Sequence, residues 1–482
     1  MKKSIAISET LTVPRLVIGL WQIADMERNN QQLDLNKTAT YMDSYVHAGF
    51  TTFDMADHYG SSEIIAGICK NKHPEKNSIR LFTKCVPKPG PIDKVMVREA
   101  IERALKRMDQ ECLDMIQFHA WLYADPSWLD ALFYLKELKE EGLVNAIGVT
   151  NFDAHHLRIA CASGIPVVSN QISHSLVDRR ALGSMQEVCD QYGVHLLTYG
   201  TLLGGFLSDR WLGVEAPKTE ALQTWSQMKY MRFIEAAGGW NLFQTVLETL
   251  DVLAQKHQTS IANLASRYVL ENKNVASVII GARLGERAHI EDHKEVLNIS
   301  LEKSDVEAIE QVISKLSPIP GNCGDEYRTP PFLTASGDLS HHLETIPEAF
   351  EAVQISETRA QVYSGTVWES FAGYCRAVKK GNRIVVSGTT ATHGDKIIGG
   401  EDAAAQTHFV IDKIEAAICS LGGSLTDVIR TRVFVDDIED WEAVARAHGV
   451  RFKNIDPANT LVQAKLVGEG YKVEIEAEAV LD

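Results

Sequence analysis

The chain reads as a (β/α)8 barrel followed by a separate α+β domain. From residue 16 to about residue 300, eight strand-like segments alternate with helix-like ones. Eight units close a barrel, whereas an odd or interrupted series would favour an open doubly wound sheet. No Gly-x-Gly-x-x-Gly follows the first strand, which also disfavours a dinucleotide-binding open sheet. Past residue 345 strands and helices no longer alternate regularly, as expected of an independent α+β unit.

Residues 2 to 13 read as a short hairpin capping the amino-terminal end of the barrel. The barrel strands read Leu16–Leu20, Thr51–Ala56, Ile79–Thr83, Leu113–Phe118, Asn145–Val149, Val167–Ile172, His195–Tyr199 and Ser277–Gly281. Each is a short, mostly apolar run, which strands covered on both faces require. Helical spacing runs through Asn36–His47, Lys94–Met108 and Pro126–Glu141, the last apolar at Trp128, Leu129, Leu132, Leu135 and Leu138. The segment from Thr201 to about Trp240 is long and carries Phe206, Trp211, Trp225, Tyr230, Phe233 and Trp240. Such a segment either shapes a pocket at the barrel rim or packs as a helical excursion on the barrel. Lys303–Leu316 reads as the last helix of a barrel domain spanning residues 1–317. Residues 318–362, rich in Pro, Gly, Ser and His, are expected to be a tail and linker. In the second domain, 363–482, Ile384–Ser387, Ala403–Leu421, Val428–Asp436 and Trp441–Val450 read as strand, helix, strand and helix. Thr460–Lys465 and Lys472–Val480 are expected to follow as paired strands.

Composition narrows the function classes. The chain has 482 residues, 45% of them hydrophobic, enough for large cores, and no apolar run approaches the ~20 residues of a membrane span. The first residues lack the apolar stretch of a secretory signal. Eight cysteines are scattered with no Cys-x-x-Cys pair, so neither a metal centre nor a disulfide framework is expected and a reducing cytoplasm is. A net charge of -16 argues against nucleic-acid binding.

Four residues at the ends of successive strands carry the chemistry. Asp54 lies near the end of the second strand and Tyr59 just beyond it, Lys84 follows the third and His119 the fourth. Parallel neighbouring strands would bring them to one carboxyl-end rim, where catalytic groups of such barrels gather. A free phenol has a pKa of about 10. An ammonium at about 4 Å contributes roughly 4 kcal/mol at an effective dielectric near 20, enough to bring the Tyr59 phenol toward neutrality. Asp54 would hold Lys84 charged, and His119 would hydrogen-bond a substrate oxygen. The set suits proton donation to a carbonyl.

The segment Asp54-Met55-Ala56-Asp57-His58-Tyr59-Gly60-Ser61-Ser62-Glu63, with Lys84 and His119, resembles the aldo-keto reductases over roughly residues 10 to 340. Gly148-Val149-Thr150-Asn151-Phe152 is similar to that family's Gly-x-Ser-Asn-Phe. The resemblance implies a TIM barrel that reduces an aldehyde or ketone with NADPH, Asp54, Tyr59, Lys84 and His119 being catalytic. It further implies that Thr150, Asn151 and Gln171 hold the nicotinamide carboxamide and that Tyr199 stacks on the ring. Backbone from Gly200 through Leu202 to Gly205 would approach the pyrophosphate. Gly281, Arg283 and Arg287 would meet the adenosine phosphate, two arginines favouring NADP over NAD. Ile280 stands where the family usually has proline. Trp21 and Trp121 match positions that line the substrate pocket.

Residues 363 to 482 resemble the Rid family of reactive-intermediate deaminases, through Ile384-Val385-Val386-Ser387-Gly388, Gly400, Gln406, Pro457-Ala458-Asn459-Thr460 and Glu474-Ile475-Glu476-Ala477. This implies a chorismate-mutase-like fold, a homotrimer, and a site including Ser387, Asn459 and Glu474. Deaminating members carry an arginine where Asn459 stands, and an amide cannot supply its charge to a substrate carboxylate. Two other readings stay open. The second domain could hydrolyse an imine or enamine whose carbonyl product the barrel reduces, or the protein could be a nucleotide sensor with a non-catalytic assembly domain.

Overall fold

The computed structural model describes residues 2–27, 32–285, 289–329, 338–343 and 347–482. They form two compact units.

The first unit opens with a hairpin, β1 (Ser4–Ala6) against β2 (Thr12–Pro14). Eight parallel strands follow: β3 (Leu16–Gly19), β4 (Thr52–Asp54), β5 (Arg80–Cys85), β6 (Met115–Phe118), β7 (Ile147–Thr150), β8 (Val167–Ser173), β9 (His195–Tyr199) and β10 (Val275–Gly281). β10 pairs with both β9 and β3, closing the barrel so that no strand edge is left open. Ile7, Leu11 and Val13 of the hairpin segment pack with Phe82, Met115, Ala146, Leu197 and Ala276, a plug at the amino-terminal end. At the other end, Gly19 pairs in register with Asp54, Lys84 with Gln117, and Thr150 with Gln171. The carboxyl ends are therefore level, and side chains leaving them share one rim.

The long connection after β9 holds three short 3-10 turns and a helix, Trp225–Ala236, before the helix Trp240–Lys256. Phe206, Trp211, Tyr230, Phe233 and Trp240 all lie in one buried cluster with Phe243 and Leu247. Burial of these large rings drives the packed excursion, since a side chain of this size contributes roughly 1.5–3 kcal/mol when removed from water. Of the six aromatic residues noted in the sequence, Trp225 alone stays outside that cluster, its ring 6.0 Å from that of Trp21.

Residues 318–362 are no simple linker. Asp325–Arg328 forms a helical turn within the barrel unit, while β11 (Ala352–Ser356) and β12 (Arg359–Val362) are the first strands of the second sheet. That sheet continues with β13 (Ala377–Lys380) and β14 (Arg383–Thr390). A small ribbon of β15 (Thr392–His393) and β16 (Lys396–Ile397) then precedes β17 (Val428–Val435), β18 (Ala458–Gln463) and β19 (Val473–Val480). The order is β11-β12-β13-β14-β19-β17-β18. The expected pairing of the last two strands is not formed. β17 lies between them, antiparallel to β19 and parallel to β18. The helix Ala403–Cys419 packs on β14 and β19. Val473, Ile475, Ala477 and Ala479 are buried, so Glu474, Glu476 and Glu478 occupy the other face of β19.

Candidate active site

Asp54 ends β4 and Lys84 is the penultimate residue of β5, both buried. The Lys84 ammonium donates to Asp54 Oδ2 at 2.6 Å and to the Met55 carbonyl at 2.8 Å. Asp54 Oδ1 accepts from Gln117 Nε2 at 2.8 Å and Gln171 Nε2 at 2.7 Å. A buried carboxylate needs this full set of donors, because an uncompensated charge away from water is strongly unfavourable. Tyr59, in the turn after β4, has its ring centroid 5.0 Å from Lys84 Nζ.

The phenol is not drawn toward neutrality. Burial, then the charges of Asp54 and Asp57 among other neighbours, hold Tyr59 well above the ordinary tyrosine range. The reason lies in the pairing: the ammonium is bonded directly to Asp54, so Tyr59 faces a compensated pair, not a lone cation. Lys84 itself is lowered by burial, an effect that the bond to Asp54 opposes.

His119 is buried just beyond β6, and burial followed by the charge of Arg328 holds its pKa well below the usual imidazole value. It is therefore neutral. Nδ1 faces the Thr150 carbonyl at 3.4 Å, a partner only an N–H can meet, so the proton belongs on Nδ1. Nε2 is buried and has no protein partner among the described residues. His119 lies edge-on to Trp121 (4.4 Å) and 6.0 Å from Tyr327. Tyr59 in turn lies edge-on to Trp21 (4.8 Å). Trp21 and Trp121 thus stand beside the two groups expected to meet substrate, joined by Trp225 and His342.

The residues expected to hold a nicotinamide are placed as follows. Thr150 Oγ1 donates to the Gln171 carbonyl at 3.1 Å. Gln171 is turned inward: both its amide protons go to Asp54 and to Gln117 Oε1 (2.8 Å), leaving only its own Oε1 for a ligand. Asn151 sits in left-handed backbone (φ 61°), a conformation uncommon outside glycine that asparagine tolerates better than most residues. The Tyr199 hydroxyl donates to Asn151 Oδ1 at 2.6 Å. Gly200 has φ 69°, and a Cβ there would fall 2.1 Å from the Tyr230 hydroxyl, so only glycine fits. Half-buried Leu202 follows in the same turn. Gly281 ends β10 beside Gly19. Arg283 is not a free cation: its Nη1 donates to Asp25 Oδ2 at 2.9 Å. Arg287 lies outside the described residues. The unpartnered Nε2 of His119, the strained Asn151 and the glycine turn fit a nicotinamide nucleotide, although part of the expected phosphate charge is offset by Asp25.

Three contributors escaped the sequence reading. Gln117 points to Asp54 from β6, two residues before His119. Tyr327 and Arg328 come from the segment assigned as linker, and their only local signal is the polar-aromatic run Asp325-Glu326-Tyr327-Arg328. Arg328 donates to the carbonyls of Ala120 (2.9 Å) and Asn151 (2.8 Å). Lys229 donates to the Tyr327 hydroxyl at 2.8 Å.

A profile of the aldo/keto reductase family matches residues 15–314, more than half of the chain. The chain belongs to the aldo/keto reductase family. With that comes the oxidoreductase class and the nicotinamide cofactor that the family uses. A second profile, endoribonuclease L-PSP, matches residues 366–481, so this aldo/keto reductase carries a Rid-type α+β domain. An uncharacterized Streptomyces coelicolor protein is 38% identical over 125 residues, 26% of this chain and 93% of its own length. The NADH-specific methylglyoxal reductase of Escherichia coli is 25% identical over 340 residues, 66% of this chain and 99% of its own length. The solved glycerol dehydrogenase of Gluconobacter oxydans shares the barrel fold, with 20% identity and a TM-score of 0.55 over 66% of this chain and 98% of its own.

In the Rid-type unit, Ser387 Oγ donates to the Cys375 carbonyl at 2.8 Å. The Glu474 carboxylate lies over Gly388, where a Cβ would fall 2.0 Å from Oε1. Burial first, then the charge of Glu476, raises the Glu474 pKa. Asn459 is elsewhere. It pairs with Thr431 of β17, three residues along from Phe434, which pairs with Glu474. Asn459 Nδ2 donates to Thr431 Oγ1 at 2.8 Å and lines a cavity of about 340 Å3 with His448, Phe452 and Asp456. Within the chain, Glu474 lies beside the Ser387-Gly388 segment and Asn459 does not.

Proposed function

We propose that the barrel reduces the carbonyl group of an aldehyde or ketone to an alcohol with NADPH, and that Tyr59 delivers the proton. The observation that carries this reading is the buried Asp54–Lys84 pair at 2.6 Å, with Lys84 Nζ 5.0 Å from the Tyr59 ring. When bound, the reduced nicotinamide supplies the hydride. Asn151, Gln171 Oε1 and the Tyr199 ring would hold that group, and Arg283 a phosphate. Burial and Asp54 keep the Tyr59 phenol protonated at ordinary pH, the form a donor must have. As its proton leaves, the nearby ammonium of Lys84 stabilises the developing phenolate. Asp54 fixes that ammonium, and Gln117 and Gln171 fix Asp54. His119, neutral with its proton on Nδ1, offers the Nε2 lone pair to a substrate hydroxyl, so it serves the alcohol better than the carbonyl.

The aromatic walls at Trp21, Trp121 and Trp225 suit a compact carbonyl compound, and the E. coli relative puts methylglyoxal first among candidates. The test is oxidation of NADPH and NADH by the purified protein against methylglyoxal, other aldehydes, ketones and cyclic imines. Absence of turnover throughout would favour the nucleotide-sensing reading.

We further propose that the Rid-type unit assembles a homotrimer and does not hydrolyse 2-imino acids. Its surface leaves large apolar side chains in water, Phe371 at 83% and Val467 at 84% exposure, as an interface would. Asn459, already bonded to Thr431, brings no cation for a carboxylate. All eight cysteines are free, which suits a reducing cytoplasm.

A further inference from the structure

Asn151 has four polar groups, and the protein uses three of them. Its N–H donates to the Gln171 carbonyl at 2.8 Å. Its backbone carbonyl accepts from Arg328 Nη1 at 2.8 Å. Its side-chain Oδ1 accepts from the Tyr199 hydroxyl at 2.6 Å. The Nδ2 amino group alone has no partner among the described residues.

The orientation of that amide is imposed from outside. A hydroxyl can donate or accept, so Tyr199 could in principle face either end of Asn151. The Tyr199 hydroxyl also lies 3.3 Å from the Tyr327 oxygen, which already accepts from Lys229 at 2.8 Å. The single Tyr199 proton thus faces two acceptors, and the structure gives it to Asn151 Oδ1 across the shorter contact. The tail supplies the second restraint. Arg328 is buried and bridges the carbonyls of Ala120 and Asn151. Gly324 packs so closely that a Cβ would fall 2.1 Å from the Asn151 carbonyl. A residue at φ 61° persists only when its surroundings hold it there.

We propose that Tyr199 and Arg328 are positioning residues that lock Asn151 with only its amino group outward, making this point of the site specific for a hydrogen-bond acceptor. Under the cofactor reading above, on which this rests, that acceptor is the carboxamide oxygen of the nicotinamide. Tyr199 therefore does more than offer a ring to stack on. Its hydroxyl sets the polarity of a neighbouring amide, and the helical turn Asp325–Arg328 shares in cofactor recognition through Arg328.

The test uses the full-length protein and two probes, NADPH and 2'-phospho-ADP-ribose, which lacks the nicotinamide. Binding of each is read by quenching of tryptophan fluorescence. Tyr199→Phe keeps the ring and removes the hydroxyl. It should weaken NADPH about fivefold, the effect of one lost hydrogen bond, and leave 2'-phospho-ADP-ribose unchanged. Arg328→Lys should act in the same direction, and unchanged binding of the nicotinamide-free probe also shows that each variant is folded. Unchanged NADPH binding in Tyr199→Phe, or equal weakening of both probes, would overturn the inference while leaving the reductase reading intact. An unmodified protein that binds neither NADPH nor NADH would overturn both together.

Discussion

Lys84 Nζ lies 2.6 Å from Asp54 Oδ2 and 5.0 Å from the centroid of the Tyr59 ring. The ammonium therefore belongs first to the carboxylate and only second to the phenol. Tyr59 is a protonated phenol, not an acid already half ionised. Tyr59→Phe should reduce kcat by about 100-fold or more, the range of general-acid catalysis, with cofactor affinity unchanged. Lys84→Met should reduce kcat comparably and also loosen Asp54, whose charge would stay buried without its cation. Stopped-flow reduction of the best carbonyl substrate would measure both, and near-normal turnover by Tyr59→Phe would remove this residue from the chemistry.

If Arg283 meets a 2'-phosphate as proposed, its pairing with Asp25 should set how strongly the protein prefers NADPH. With Arg283 held by Asp25 at 2.9 Å, discrimination between NADPH and NADH should be modest. Releasing the guanidinium by Asp25→Asn should tighten NADPH about tenfold and leave NADH nearly unaffected, since a charge-assisted bond contributes about 1.5–3 kcal/mol. Arg283→Ala should erase the preference. Dissociation constants for both cofactors would settle it, and equal NADPH affinity in all three proteins would refute the assignment.

Glu326 is fully buried and held at about 2 by Arg180 and Lys229, which outweigh the opposing effect of burial. A carboxyl held below its unfolded value stabilises the fold at pH above about 4.5, and that contribution is lost as pH falls toward 2. It amounts to at most about 3 kcal/mol by linkage. Denaturant melts of the unmodified protein should therefore weaken over this window, and Glu326→Gln should lower stability at neutral pH and flatten the slope. A variant with the parent's stability at pH 7 would mean that the two cations need no counter-ion.

The Rid-type unit should bring three chains together, and light scattering of the full-length protein should give three times the chain mass. A monomer would defeat the proposal. The same protein should show negligible hydrolysis of 2-aminoacrylate, and Asn459→Arg should gain measurable carboxylate binding. Brisk hydrolysis by the unmodified chain would show that Asn459 does not matter as argued.

The barrel was legible because its strands are short apolar runs whose spacing is local. Asp54, Tyr59, Lys84 and His119 were legible because each sits at a strand end, where the topology alone brings neighbours to one rim. Thr150, Asn151, Gln171 and Tyr199 were singled out by the family resemblance, which does not say what they bond to in this chain. Gln171 spends both amide protons on the barrel interior, and Tyr199 gives its proton to Asn151. Arg283 read as a free phosphate ligand because nothing near it in sequence announces Asp25, some 258 residues earlier.

By itself, then, the sequence determined the barrel, the second domain and which polar side chains gather at the rim, since periodicity and strand ends are properties of neighbouring residues. Only the tertiary structure decided the charge that Tyr59 feels, the direction of the Asn151 amide and the part played by Tyr327 and Arg328. Those depend on distances of a few ångströms between groups far apart in the chain. Hydrogen bonds and ion pairs fall off over just such distances.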